Sequence, residues 1–206
     1  MKVYPVDAIA SAMKELDSNI DAYAHSVYNG KNRHYKRILK SNVNYNKIYS
    51  SEDIFERFKN DKLDISYLNK LEKELSFPNL WLNIVHEREI YALDHWIPGV
   101  IKYNEEELLR WLQATARHIE YILDDCRPDV YLDLMSVSLM RELTRRMCSY
   151  RGILWIIPLQ TRYKNKAVIV DNKKEYIKNY QVRYDELLNG SSENLEEAEK
   201  EIYANS

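Results

Sequence analysis

The chain has 206 residues, 45% apolar and 30% charged, a balance that can bury a sizeable core in one large domain. Thirty basic against thirty-two acidic side chains leave a net charge of −2, which excludes attachment to nucleic acid or membrane by bulk charge alone. With only four glycines, neither common glycine-rich phosphate loop can be written.

Cys126 and Cys148 are too few for a disulfide framework, so reduced thiols are expected. Met1-Lys2-Val3-Tyr4-Pro5 lacks the apolar region of a signal peptide. The longest apolar run, Ile153 to Leu159, is interrupted by Pro158 and too short to span a bilayer. The expected location is cytoplasmic, with peripheral attachment to an inner membrane face left open through a partner.

Asp7 to Leu16 reads as a helix, with Ala8, Ala12 and Leu16 on one stripe. Ile20 to Val27 suits a short strand before the Asn29-Gly30 turn, and Val43 to Tyr49 a second, weaker one. Ser51-Glu52-Asp53 offers N-terminal oxygens to a helix whose apolar face is Ile54, Phe55 and Phe58. Leu68, Leu71 and Leu75 carry another helix. A block from Phe77-Pro78 places Trp81, Ile84, Val85 and Tyr91 on one face before Pro98-Gly99 breaks the chain.

Asn104 followed by Glu105, Glu106 and Glu107 is a strong helix start. Leu108, Leu112, Thr115, Ile119 and Leu123 then form the best amphipathic stripe in the chain. Val130 to Leu134 reads as a buried strand, and Leu139, Leu143 and Met147 as a helix stopped near Gly152. Ile153 to Ile157 suits a strand covered on both faces, and Ala167 to Val170 is another short strand. Helical pattern returns from Lys173, and an acidic helical segment occupies about 191–206. Helices alternating with apolar strands are the sequence form of a parallel sheet with crossover helices.

Ligands of such sheets bind beyond the carboxyl ends of the strands. Three segments reach that edge: His25-Ser26, Asp133 with Ser136 and Ser138, and Gln160-Thr161-Arg162. Ser136 and Ser138 offer hydroxyls and helix-start amides to a phosphate or sugar, or simply cap a helix. Arg162 offers a bidentate clamp for an anion, or is a solvated loop residue. All three are expected to line one cleft.

His86-Glu87-Arg88-Glu89 fails the metalloprotease pattern, since position 90 is Ile90. An ion pair or interface is the simpler reading there. His25, His34 and His118 are scattered, no metal site is supported, and no cofactor is expected. Lys31, Arg33, Lys36, Arg37, Lys40 and Lys47 form a basic run without acidic residues, interleaved with Tyr35, Tyr45 and Tyr49. It could meet single-stranded nucleic acid, though the acidic overall balance favours an anionic glycan, a lipid phosphate or plain solvent.

The stretch Pro78-Asn79-Leu80-Trp81 through Glu87-Arg88, the helix to Asp125, and Arg127-Pro128-Asp129-Val130 resemble the N-terminal half of capsule and surface polysaccharide biosynthesis proteins. The likeness continues through Arg151-Gly152-Ile153 and Thr161-Arg162-Tyr163-Lys164-Asn165-Lys166 to Val168-Ile169-Val170-Asp171. Such proteins are glycosyltransferase-like, of the two-Rossmann-domain GT-B type. The opening departs from the family pattern: Val3-Tyr4-Pro5 runs almost directly into Asp7, so the first strand is shortened or lies outside this chain. After Val130, Leu134-Met135-Ser136 only approximates the family's small or acidic residue and serine.

The resemblance covers about Pro78 to Asp171; with the alternation of helices and apolar strands it leads us to expect one Rossmann-like α/β domain over about 1–190, its sheet mostly parallel, with helices on both faces and a helical insertion at about 51–98. It implies the acceptor-side half of a glycosyltransferase, incomplete as an enzyme without a C-terminal donor-binding domain. Its partners would be a nucleotide sugar or an anionic glycan. His25 or Asp133 would be the base that takes the acceptor proton, and Arg162 and Lys166 the phosphate or glycan contacts. The rival reading is a non-catalytic binding or assembly domain that holds a polyanion through the 31–47 basic segment.

Overall fold

The computed structural model describes residues 5–26, 38, 41, 43–77, 79–80, 84, 104–133, 139–160, 167–171, 182 and 185. Within them the chain is mixed α/β. Helix α1 (Pro5–Leu16) leads to β1 (Tyr23–Ser26) and β2 (Lys47–Ser50). Helices α2 (Glu52–Asn60) and α3 (Ile65–Glu74) follow. The long α4 (Glu105–Cys126) precedes β3 (Val130–Leu132), α5 (Leu139–Tyr150), β4 (Leu154–Gln160) and β5 (Ala167–Asp171).

Two small sheets are hydrogen-bonded. Strands β1 and β2 pair in parallel, with His25 opposite Tyr49 and Ser26 opposite Ser50. In the second sheet β3 and β4 pair in parallel, as expected for strands joined by the single helix α5. Strand β5 turns back and pairs antiparallel to β4, with Ile157 opposite Val170.

The start of α4 follows its sequence closely. Asn104 accepts a hydrogen bond from the Glu107 amide at 3.0 Å, and the Glu107 carboxylate accepts one from the Asn104 amide at 2.7 Å. This reciprocal capping box satisfies two helix-start amides and sets carboxylates on the positive helix end. Ser51, by contrast, makes no side-chain cap at α2; its amide instead bonds Ser26 O at 3.1 Å. That bond prolongs the β1–β2 ladder.

Leu108, Leu112, Ile119 and Leu123 of α4 are buried as their spacing predicts, packed with Leu139, Leu143 and Met147 of α5 and with Trp155 and Ile157 of β4. Gln113, Ala114, Thr115, Ala116 and His118 are buried too, so the middle of α4 is covered nearly all round. A helix with one apolar stripe has thus become the central helix. Two expectations for the strands fail. Ile156 is only half-buried, because Trp155 and Ile157 take the core side of β4, and Val130 is exposed at the start of β3.

The second face of α4 grips α2 and the loop after it. Gln113 Nε2 donates to Lys62 O at 2.8 Å, while its Oε1 accepts from the Asp64 amide at 2.7 Å. Arg110 donates to the carbonyls of Phe58, Lys59 and Asp61, satisfying groups left open at the end of α2. Phe58 stacks edge-on against Trp111, with centroids 5.7 Å apart. These contacts fix α2 along α4 and bring Asp53 beside His118.

Candidate functional site

His25 is the third residue of β1, one position before the carboxyl end of the strand. Its Nε2 lies 3.2 Å from Nε2 of His118, which α4 projects from its α2-facing side. The two rings are tilted by 52°, with centroids 5.2 Å apart. On its other side, His25 Nδ1 lies 3.2 Å from the Tyr131 hydroxyl of β3. His118 Nδ1 faces the carboxylate of Asp53 on α2 at 3.8 Å. Four polar groups therefore run in file from β3 through β1 and α4 to α2.

Burial sets the protonation of this row. Desolvation, helped by the neighbouring His118, lowers the His25 pKa to about 3. Desolvation also lowers His118 to about 4, with Arg57 pushing the same way and Asp53 opposing. Both imidazoles are neutral at pH 7. Burial, and then the Asp133 charge, holds the Tyr131 phenol above its ordinary range.

The seam between α2 and α4 is unusual in its polar accounting. Among the described residues Arg57 Nε, Thr115 Oγ1 and His118 Nδ1 are buried without a hydrogen-bond partner. Trp111, Thr115 and His118 lie at helical spacing on the face of α4 turned to α2. Ordinary cores pair such groups, so their concentration beside the histidine row marks this seam.

Asp133, the other base candidate, follows β3 directly. Its Oδ2 accepts from Trp155 Nε1 at 3.2 Å and lies 3.6 Å from Arg141 Nε. The Arg141 guanidinium sits over the Trp155 ring at 5.4 Å. The carboxylate is thus held in a clamp between β4 and α5. Ser136, Ser138, Arg162 and Lys166, the acidic 191–206 segment, and His34, His86 and His95 lie outside the described residues. So does most of the basic run.

Lys47, at its end, bonds Asp125 at 2.5 Å and the Tyr121 hydroxyl at 3.1 Å. Tyr49 donates to the same carboxylate at 2.7 Å. The charge of Lys47 is answered by α4, and so adds little attraction for a polyanion.

Cys126 and Cys148 are free thiols. Burial pushes the Cys148 thiol up to about 12, which suits a packed core residue rather than a nucleophile. Among the described residues no group of three or more His, Cys, Asp or Glu is arranged to hold a metal ion. Among them, too, no helix is long and apolar enough to cross a membrane.

Sequence reasoning reached His25 but missed His118, Asp53 and Tyr131. The signal for His118 was present: it falls on a helix stripe with Trp111, Thr115 and Ile122, where a polar ring is out of place unless it has a partner. Its partner lies ninety-three positions away, and no local pattern names it. No protein-family model matches the chain, and comparison with curated proteins and with solved structures finds no match.

Proposed function

We propose that the chain is a Rossmann-like, glycosyltransferase-like domain of surface-polysaccharide biosynthesis that receives the acceptor glycan. The observation that carries this reading is His25 itself. A neutral imidazole sits one residue from the carboxyl end of a parallel strand, the edge where α/β sheets bind ligands. A neutral ring can take up the proton of a sugar hydroxyl, relayed by the Tyr131 hydroxyl on its Nδ1, as that oxygen attacks an activated sugar. The parallel β1–β2 pair and the parallel, helix-linked β3–β4 pair support this reading, while antiparallel β5 does not add to it.

The chemistry asks for one compensation. An imidazole whose pKa lies near 3 accepts a proton poorly unless a negative charge offsets the new cation. Asp53, reached through His118, is placed to supply it. The donor nucleotide would be held by a separate donor-binding domain.

The test is a melting-temperature screen of the full chain against capsular oligosaccharides and nucleotide sugars. An acceptor at a hundred times its dissociation constant stabilises by about 2.7 kcal/mol and raises the melting temperature. The reading expects shifts with acceptor oligosaccharides that weaken in His25→Ala. A panel of oligosaccharides without any shift would overturn it, and shifts with unrelated polyanions alone would favour a binding or assembly module instead.

A further inference from the structure

Between the two facing Nε2 atoms of His25 and His118 only one proton fits, and the flanking groups decide which ring carries it. We infer that Asp53 and His118 are positioning residues that lock His25 as its Nε2–H tautomer, leaving Nδ1 bare to accept the Tyr131 hydroxyl proton.

Two arrangements of the protons can fill this row. In the first, Tyr131 donates to His25 Nδ1, His25 Nε2–H donates to His118 Nε2, and His118 Nδ1–H points at the Asp53 carboxylate. Each ring lone pair then meets a proton, and the row ends with an N–H directed at a negative charge 3.8 Å away. In the second, each ring is reversed, and the bare Nδ1 lone pair of His118 faces the Asp53 oxygens at 3.8 Å. That juxtaposition is repulsive. His118 is completely buried, so water cannot rescue a misdirected lone pair. Which ring nitrogen carries the proton is set by the bond the other one makes.

The charged and titratable groups against this row are few. From α2 come Asp53 and Arg57, from β3 Tyr131 and just after it Asp133, and from α4 and α5 the thiols Cys126 and Cys148. Arg57 disfavours a cation on His118, which leaves Asp53 as the group that orients the ring.

The tautomers follow from the geometry alone, while their catalytic consequence rests on the glycosyl-transfer reading. In that reaction the acceptor oxygen bonds the anomeric carbon of the activated sugar as the bond from that carbon to the leaving group breaks and the leaving group departs with its electron pair. Meanwhile one proton passes from the acceptor hydroxyl to the Tyr131 oxygen and the Tyr131 proton passes to His25 Nδ1. The acceptor O–H bond breaks, an N–H bond forms, and the positive charge on His25 lies one ring away from the Asp53 carboxylate. Tyr131 serves as the intermediate proton carrier and finishes as it began.

Long-range proton–nitrogen NMR of the histidine-labelled full chain, without substrate, reads each ring directly. At pH 7 the expected result is a neutral His25 protonated on Nε2 and a neutral His118 protonated on Nδ1. Asp53 is more than half exposed, so Asp53→Ala should fold, and it should shift His118 and His25 away from those tautomers. Tyr131→Phe should move the His25 Nδ1 signal and leave His118 unchanged. A His25 protonated on Nδ1, or two spectra indifferent to Asp53→Ala, would overturn the inference. So would a chelator-sensitive spectrum with both Nε2 atoms bare, which would place a metal between the rings. Oligosaccharide binding is measured separately, so failure of either idea can be told from failure of the other.

Discussion

The Nε2 atoms of His25 and His118 meet at 3.2 Å although ninety-three positions separate them, which makes this pair the polar tie between β1 and the central helix α4. Both rings are held neutral, His25 to about 3 and His118 to about 4.

A pH dependence of stability follows. An unfolded histidine takes up its proton near pH 6.5, well above the folded values of about 3 and about 4. The unfolded chain therefore binds more protons below pH 6.5, and stability is lost as pH falls toward 4. Each histidine contributes a slope of up to about 1.4 kcal/mol per pH unit, so the pair should cost on the order of 3 kcal/mol by pH 5. Glu142, whose pKa the Arg145 and Arg146 partners pull below its ordinary value against the cost of burial, titrates beneath this window. Urea unfolding at pH 7, 6 and 5 checks the slope. An unfolding free energy constant across that range would show that the rings are not held neutral.

The α4 core is the second expectation. Leu112 is fully buried in the cluster that also holds Leu68, Leu143 and Met147. Leu112→Ala should cost about 2–5 kcal/mol, the transfer term plus a cavity. Leu16→Ala at the exposed end of α1 should stay within about 0.5 kcal/mol. Parallel denaturation of the two variants separates core from surface.

Gln113 gives the third. It is fully buried, with both ends of its amide used. Gln113→Leu should cost about 1–3 kcal/mol, because the Asp64 amide and the Lys62 carbonyl lose their partner. Faster proteolysis or amide exchange confined to the 61–64 loop would accompany the loss. Full stability in this variant would show that the loop is held by Arg117, which bonds Asp61 at 3.0 Å and lies 3.4 Å from Asp64.

Residues that act locally were legible. Asn104 and Glu107 announce a helix start, the Leu108-to-Leu123 spacing announces its core face, and Gly152 announces a stop. Burial of the opposite face of α4 was hidden because it rests on polar contacts: Gln113, Arg110 and His118 find their partners on α2, on the loop after it and on β1. The same holds for the site. His25 could be placed from strand topology, whereas His118, Tyr131 and Asp53 come from three other elements that no spacing rule brings together. Antiparallel β5 escaped for a related reason, since strand-forming residues such as Val168, Ile169 and Val170 carry no signal of strand direction.

The last prediction sets two helix ends against each other. Helix α5 closes with Ile153 N bonding Cys148 O at 2.8 Å and Gly152 N bonding Ser149 O at 3.2 Å, with Gly152 at φ +73°. Helix α3 closes in the same pattern, Phe77 N on Glu72 O at 3.0 Å and Ser76 N on Lys73 O at 3.2 Å. There the left-handed position holds Ser76 at φ +46°. Both are Schellman ends, and each seats its next residue, Ile153 or Phe77, in or against the core. Glycine adopts this backbone freely, while a side chain costs about 1 kcal/mol there. A Cβ on residue 152 would meet nothing within 4 Å, so Gly152→Ala isolates the backbone term and should destabilise by about 1 kcal/mol. Ser76→Gly should stabilise by up to about 1 kcal/mol, because it relieves the same strain at an exposed position. The Ser76 carbonyl keeps its bond from Arg146 at 3.1 Å, which does not depend on the side chain. Opposite signs in thermal unfolding would confirm two equivalent ends, and a destabilised Ser76→Gly would mean that the serine side chain holds a contact of its own.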